Sequence, residues 1–201
     1  MDDVAPTVRT ATRADLPEMA RVLAAAFADD PVLGFLIPPG VRRRRERLRS
    51  FFALELPRSA GLGGAWTAMA GGAAAIWYPP GGWRASNWTT FRQGPATMRI
   101  FGRRLGLAAR VLLMLQNHHP TAPHWYLFYL GAAPAQQSLG RGSALLRAVL
   151  DRCDEQGLPA YLEATNERNR ALYLRHGFVE RDELPLPDGG PPLYPMWREP
   201  G

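Results

Sequence analysis

Leu130-Gly131-Ala132-Ala133-Pro134-Ala135-Gln136-Gln137-Ser138-Leu139-Gly140-Arg141-Gly142 leads from an apolar segment, past a proline, into a glycine turn. Residues 124–132 are aromatic or aliphatic almost throughout, as in a strand buried on both faces at the middle of a sheet. Behind the turn, residues 143–156 repeat Leu145, Leu146, Val149, Leu150 and Cys153 at helical spacing. Strand, glycine turn and helix in that order make an anion site. The glycines let the main chain approach a ligand, the first N–H groups of the helix lack internal acceptors, and the helix dipole favours negative charge. A pyrophosphate satisfies all three.

Other phosphate binders share such a turn, and its position separates them. A dinucleotide fold carries its glycines after an early strand, with an acidic residue about 20 positions on; here the turn lies two-thirds of the way along the chain. A P-loop needs a lysine, and the sequence has none.

Outward from the turn, residues 8–11 read as a strand and 14–28 as a helix, with Leu16, Met19, Leu23 and Phe27 on one side. Asp29-Asp30-Pro31 ends that helix, because the residue before proline leaves helical geometry. Residues 64–70 and 73–78 suggest two strands about Gly71-Gly72, and 87–117 reads as helix with a break at Gly94-Pro95. Downstream, 159–165 is a strand, Asn166 caps a helix over 167–176, and 178–184 and 193–198 are the final strands. The expectation is one α/β (α+β) domain spanning 1–201, with a mixed, mainly antiparallel sheet of about seven strands flanked by helices.

Composition narrows the function classes. The 201 residues are 46% apolar and 21% charged, which suits one globular core. All 24 basic residues are arginine and the net charge is +6, a bias that GC-rich coding explains without a nucleic-acid surface. Arg42, Arg43, Arg44, Arg45, Arg47 and Arg49 read as a solvated helix face, with a phosphate or acidic-partner patch as the sharper alternative. Cys153 is the only cysteine, so neither an intramolecular disulfide nor a cysteine metal cluster is expected. On the apolar stripe it reads as a structural thiol. Residues 105–115 are interrupted by Arg110 and fall short of the roughly 20 needed to span a bilayer. With Met1-Asp2-Asp3 and no secretory core behind it, the expected location is the cytoplasm.

A second signature lies downstream: Tyr161-Leu162-Glu163-Ala164-Thr165-Asn166-Glu167-Arg168-Asn169, then Ala171-Leu172-Tyr173-Leu174-Arg175-His176-Gly177-Phe178. With the glycine turn ahead of it, the chain resembles the GCN5-related N-acetyltransferase (GNAT) family. The likeness is sharp from 124 to 178 and looser elsewhere, and is strongest toward the bacterial puromycin N-acetyltransferase-like branch. It implies acetyl-CoA as cofactor, in a sheet splayed at the cofactor site. Leu130, Gly131 and Ala132 would pair with the pantetheine arm as an added strand, Gln137, Ser138, Leu139, Gly140, Arg141, Gly142 and Ser143 would hold the pyrophosphate, and Asn169 would meet the arm. Ser138 departs from the glycine or arginine usual there, but its N–H can still donate.

Tyr173, one helical turn beyond Asn169, faces the same way, and its hydroxyl suits protonation of a departing thiolate; packing in the core is the plain alternative. Glu163 is the leading carboxylate for a base, with an arginine ion pair as its alternative. Asp29 and Asp30 are placed to draw in a cationic amine, or merely to end a helix. Trp77, with Tyr78, Trp83, Trp88 and Phe91, is expected near the acceptor, or in the core. His118, His119 and His124 lack zinc-site spacing and read as solvated loop histidines, so no metal is assigned. The implied reaction is acetyl transfer to a primary amine of a small molecule such as an antibiotic, amino acid or polyamine. A protein N-terminus or lysine is the alternative acceptor, and a non-catalytic CoA-binding module the rival class. Neither a membrane nor nucleic acid is expected as partner, and a homodimer is compatible.

Overall fold

The apolar run around Leu127 becomes the middle strand of a sheet. A computed structural model describes residues 6–84 and 87–201, with side chains over 6–84 and 93–201. Its strands are β1 (Val8–Thr10), β2 (Ala65–Ala68), β3 (Ala73–Tyr78), β4 (Trp125–Ala132), β5 (Ala160–Ala164), β6 (Val179–Glu180) and β7 (Tyr194–Arg198). They lie in the order β1-β2-β3-β4-β5-β7-β6. Neighbours are antiparallel except β4 and β5, which run parallel.

Helices cover both faces. On one side α1 (Leu16–Ala26), α2 (Pro31–Leu36), α3 (Arg44–Gly61), α4 (Asn87–Phe101) and α5 (Leu105–His118) bury residues such as Leu23, Leu33, Phe52, Ile100 and Val111 against Ile76 and Tyr126. On the other, α6 (Arg141–Gln156) and α7 (Glu167–Leu174) bury Leu145, Leu146, Val149, Cys153 and Tyr173 against Trp77, Leu127 and Leu162. A sheet covered on both faces requires a central strand that is apolar on both sides, which is what β4 supplies.

Two features of β4 build the site. Its pairing with β5 covers Trp125↔Ala160, Tyr126↔Tyr161 and Leu127↔Leu162, after which the two strands part. Against β3 the register slips between Ile76↔Tyr129 and Trp77↔Leu127, leaving Phe128 as a bulge residue. Phe128 and Tyr129 consequently both pack on the α1/α3 side, while Leu127 and Leu130 pack on the α6 side. The sheet is thereby splayed.

Several local expectations change. After α1 the chain forms the extra helix α2, with Asp30 as N-cap accepting from the Leu33 N–H at 2.8 Å and Pro31 at its first position. α4 runs through Gly94 and Pro95, and the break falls at Gly102, where φ is +54°. The strand expected over 178–184 shortens to β6 and an isolated bridge, Leu184↔Leu193. The arginine run is not simply solvated. Arg44 donates to the Ile37 and Ala28 carbonyls at 2.7 and 2.6 Å, and Arg47 to the Ile100 carbonyl at 3.0 Å.

His118 is exposed as expected, whereas His119 and His124 depart furthest from expectation. His119 is 7% exposed and His124 4% exposed, and their Nε2 atoms lie 3.0 Å apart under the Trp83 ring, which sits 3.8 Å from that of His119. The Ala122 carbonyl, 2.7 Å from His124 Nδ1, can only accept, so His124 carries its proton on Nδ1 and receives a hydrogen bond from His119 Nε2. Both rings are neutral. Burial, with His124 and Arg84 adding to it, pushes His119 down to about 3, and burial also lowers His124, with Arg181 adding and the Ala122 carbonyl opposing.

In the unfolded chain these rings titrate near the ordinary 6.5, so between 6.5 and 3 it binds more protons than the fold. Stability therefore falls as the pH drops through that window, by up to about 1.4 kcal/mol per unit from His119. Urea unfolding at pH 7, 6, 5 and 4 is expected to show a steeper loss in the natural chain than in His119→Phe. Parallel profiles would refute the assignment.

Candidate active site

Where β4 and β5 diverge, a cavity of about 700 Å³ opens between the end of α1, the exposed edge of β4, the glycine turn and α7. Of the residues singled out in the sequence, it gathers Asp29, Asp30, Leu130, Gly131, Ala132, Gln137, Ser138, Gly140, Arg141, Gly142, Ser143, Asn169 and Tyr173. Segments nearly 150 residues apart meet because the α1–β4 contact and the β4–α6 turn share one strand.

The turn is built for an anion. α6 begins at Arg141 with Gly140 as N-cap at φ +71°, and no side chain caps it. The Ala144 N–H is the first to find an intrahelical acceptor, the Gly140 carbonyl at 2.9 Å. Among the described residues, the N–H groups of Arg141, Gly142 and Ser143 have no acceptor, so a phosphate oxygen is the group they lack. A Cβ at Gly142 would meet nothing nearer than Leu172 Cδ2 at 3.9 Å. The protein itself does not demand glycine there, whereas a ligand seated on the backbone does. The residues present therefore fit a pyrophosphate.

Side chains of the turn mostly brace it. Gln137 Nε2 donates to the Ala132 carbonyl at 3.3 Å, and its Oε1 accepts from Arg168 at 3.0 Å. Arg141 donates to the Gly71 carbonyl at 2.7 Å, tying the β2–β3 turn to the glycine turn. Leu139 points away, 53% exposed, into a separate groove beside Pro6 and Ala148. Ser138 has φ +64°, a left-handed conformation that disfavours side chains, which accounts physically for glycine as a common occupant. Gly131 has a packing role: a Cβ there would lie 2.7 Å from Ala26 Cβ and 3.1 Å from Phe27 Cε2, so glycine lets α1 close on β4.

Asn166 caps α7 by accepting from the Asn169 N–H at 3.0 Å, and this sets Asn169 and Tyr173 on the cavity side. The Tyr173 ring packs edge-on to Phe178 at 5.9 Å while the residue lines the cavity, so packing and a functional hydroxyl coexist. Burial first, and then the Asp30 carboxylate, raise Tyr173 well above the usual tyrosine range and hold it protonated.

Glu163 does not line this cavity; it is the first residue of β5 beyond the paired segment, on the α1/α3 side. Its Oε2 accepts from the Tyr126 hydroxyl at 2.7 Å, and its Oε1 is sealed from solvent without a partner. Burial pushes the carboxyl up to about 7, against the pull chiefly of the Tyr126 hydroxyl. No arginine pairs with it among the described residues. Asp29 is exposed at the rim, whereas Asp30 is buried and engaged by Leu33 and Thr165. Trp77 lies outside the cavity, 0% exposed in the core under α6; Tyr78 is buried against Arg58, and the side chains of Trp88 and Phe91 fall outside the described residues. Arg168, Leu172 and Arg175, which the downstream signature contains without a role, lie by their spacing on one helical face at the cavity mouth.

Among the described residues no three His, Cys, Asp or Glu side chains gather as metal ligands, and no helix is long and apolar enough to cross a membrane. Cys153 is buried and its thiol pushed up to about 12, chiefly by burial, which makes it a poor nucleophile.

A parted parallel strand pair thus leads to a helix start with unsatisfied N–H groups, and a protonated tyrosine lines the same cavity. Residues 72–178 match the model of the acetyltransferase (GNAT) family, and the chain belongs to that family. A Corynebacterium glutamicum structure described as histone acetyltransferase HPA2 and related acetyltransferase is 32% identical, with a TM-score of 0.75 over 98% of both chains. Drosophila melanogaster polyamine N-acetyltransferase shares the fold at 15% identity, with a TM-score of 0.68 over 96% of this chain and 99% of that one. An uncharacterised N-acetyltransferase of Schizosaccharomyces pombe is 37% identical over 78 residues, 38% of this chain and 32% of that protein. The chain thus spans about a third of that curated relative.

Gly142→Glu is expected to weaken CoA binding at least tenfold, roughly, by placing bulk and negative charge on the anion site; calorimetry showing natural affinity would contradict the assignment. Ser138→Gly should relieve the left-handed strain and raise stability by roughly 0.5–1 kcal/mol, read as a higher melting temperature. A lower one would count against it.

Proposed function

We propose that this chain transfers the acetyl group of acetyl-CoA directly to a primary amine of a small molecule. The observation that carries the reading is the continuity of one cavity from the free N–H groups of Arg141, Gly142 and Ser143, along the unpaired edge of β4, to Tyr173. When bound, acetyl-CoA supplies an activated acetyl thioester. Arg141 to Ser143 would hold its pyrophosphate, Leu130 to Ala132 would pair with the pantetheine arm through strand hydrogen bonds, and Asn169 would meet that arm.

Tyr173 donates its proton to the departing thiolate, a role that requires a hydroxyl kept protonated at neutral pH. Glu163 takes the proton from the acceptor ammonium; a carboxyl near 7 is half ionised at neutral pH. Acid and base then lie on opposite faces of the sheet, so the amine approaches from the α1/α3 side. Asp29 at the rim draws in a cation. Polyamine, agmatine and arylalkylamine acetyltransferases share this fold, which supports a small amine. On sequence resemblance we place the chain with the puromycin N-acetyltransferase-like enzymes, and its single cysteine fits a reducing compartment such as the cytoplasm. The name of the Corynebacterium relative favours one second reading, transfer to a protein amine.

Incubating the protein with acetyl-CoA and a panel of small amines, with histone-type peptides as a separate arm, and following free thiol tests the reading. CoA binding without turnover on any acceptor would sink it. Tyr173→Phe should lower kcat by roughly 10²-fold or more while CoA affinity stays near natural; an unchanged rate would remove Tyr173 from the acid role. Because the base acts ionised, kcat/KM should rise with pH through about 7, and Glu163→Gln should abolish that limb along with most of the activity. A retained limb would point to another base.

A further inference from the structure

Asp30 lies on the cavity wall, yet both of its oxygens are already engaged. Oδ1 accepts from the Leu33 N–H at 2.8 Å, and Oδ2 accepts from the Thr165 hydroxyl at 2.5 Å, across 135 positions of sequence. Thr165 follows β5 and precedes the cap of α7. Asn166 Nδ2 donates back to Thr165 Oγ1 at 3.3 Å, while Asn166 Oδ1 accepts from the Asn169 N–H. A connected set of hydrogen bonds therefore runs from the start of α2 through Asp30, Thr165 and Asn166 to Asn169.

Its placement gives it meaning. β4 carries α1 and the α1–α2 turn, β5 leads into α7, and the two strands have already parted by this depth. The Asp30–Thr165 bond bridges that gap. On its far side the turn is gripped by Arg44, whose guanidinium donates to the carbonyls of Ala28 and Ile37 on either side of Asp30. Held from α3 and from the end of β5, the turn has little freedom of its own.

We infer that Asp30 and Thr165 are positioning residues that couple the acceptor-side turn to the cofactor helix. The turn cannot shift without carrying the cap of α7, and with it Asn169 and Tyr173. An amine that settles against the turn thereby fixes the hydroxyl that serves the leaving thiolate. Asp30 acts in this way, through Thr165, instead of as a ligand of the ammonium. The inference rests on the acetyl-transfer reading above.

Thr165→Val deletes the hydroxyl at nearly constant volume and leaves the Asp30–Leu33 cap in place, while Thr165→Ser keeps the hydroxyl. In the valine variant kcat should fall about tenfold and the acceptor KM should rise severalfold, while the CoA dissociation constant stays within about twofold. Serine should restore both kinetic parameters. Hydrogen exchange without acceptor should accelerate over both 31–37 and 166–170 in the valine variant and in neither segment of the serine variant. Asp30→Asn, whose amide can donate to Thr165 Oγ1, should leave both segments protected. Acceleration of one segment alone or of neither, or CoA affinity falling in step with kcat, would overturn the coupling. If the natural chain acetylates no amine, the acetyl-transfer reading fails by itself and the exchange data still decide the bridge.

Discussion

The short pairing of β4 with β5 is the constraint on which the site depends. Three residue pairs hold the strands together, and beyond Leu127 and Leu162 each keeps only its outer partner, β3 for one and β7 for the other. A strand that loses a neighbour leaves backbone donors and acceptors unpaired, a state tolerated in a fold where something else can pair with them. The bulge at Phe128 works with this parting, turning Phe128 and Tyr129 to the α1/α3 side and leaving Leu130 to Ala132 as a free edge leading to the glycine turn.

The polar and titratable groups then divide across the sheet. On one face α6 and α7 carry the free N–H groups, Asn169 and Tyr173; on the other, Glu163 sits among Tyr126 and Tyr161, sealed from water on one oxygen. Burial drives both titrations, toward proton retention in Tyr173 and toward a neutral pKa in Glu163. Desolvation is thus the common cause, and the differing intrinsic acidities of a phenol and a carboxyl separate their protonation at neutral pH.

Helix and strand identities around the turn were legible because the periodicities there are long and bounded by glycine, proline or asparagine. Harder to read were elements shaped by contacts. α2 is too short for a periodicity to register, and Asp30 reads equally as the end of one helix or the cap of another. Pro95 looks like a helix breaker, yet α4 continues through it and yields at Gly102 instead. His119 and His124 look solvated in a proline-rich loop, and only the approach of Trp83, Tyr161 and Trp197 buries them.

By itself the sequence determined most of the strands, the glycine turn on the start of α6, and the Asn169–Tyr173 face of α7, since each rests on residues within a few positions of one another. Tertiary structure alone decided that Trp77 is core, that Glu163 lies at the apex of the splay and off the cavity, and that Asp30 is bound to Thr165. The physical reason is range. Local backbone preference and side-chain period act over a turn or two, whereas the depth at which a carboxylate is desolvated, and the partner it meets there, depend on strands brought together from distant parts of the chain.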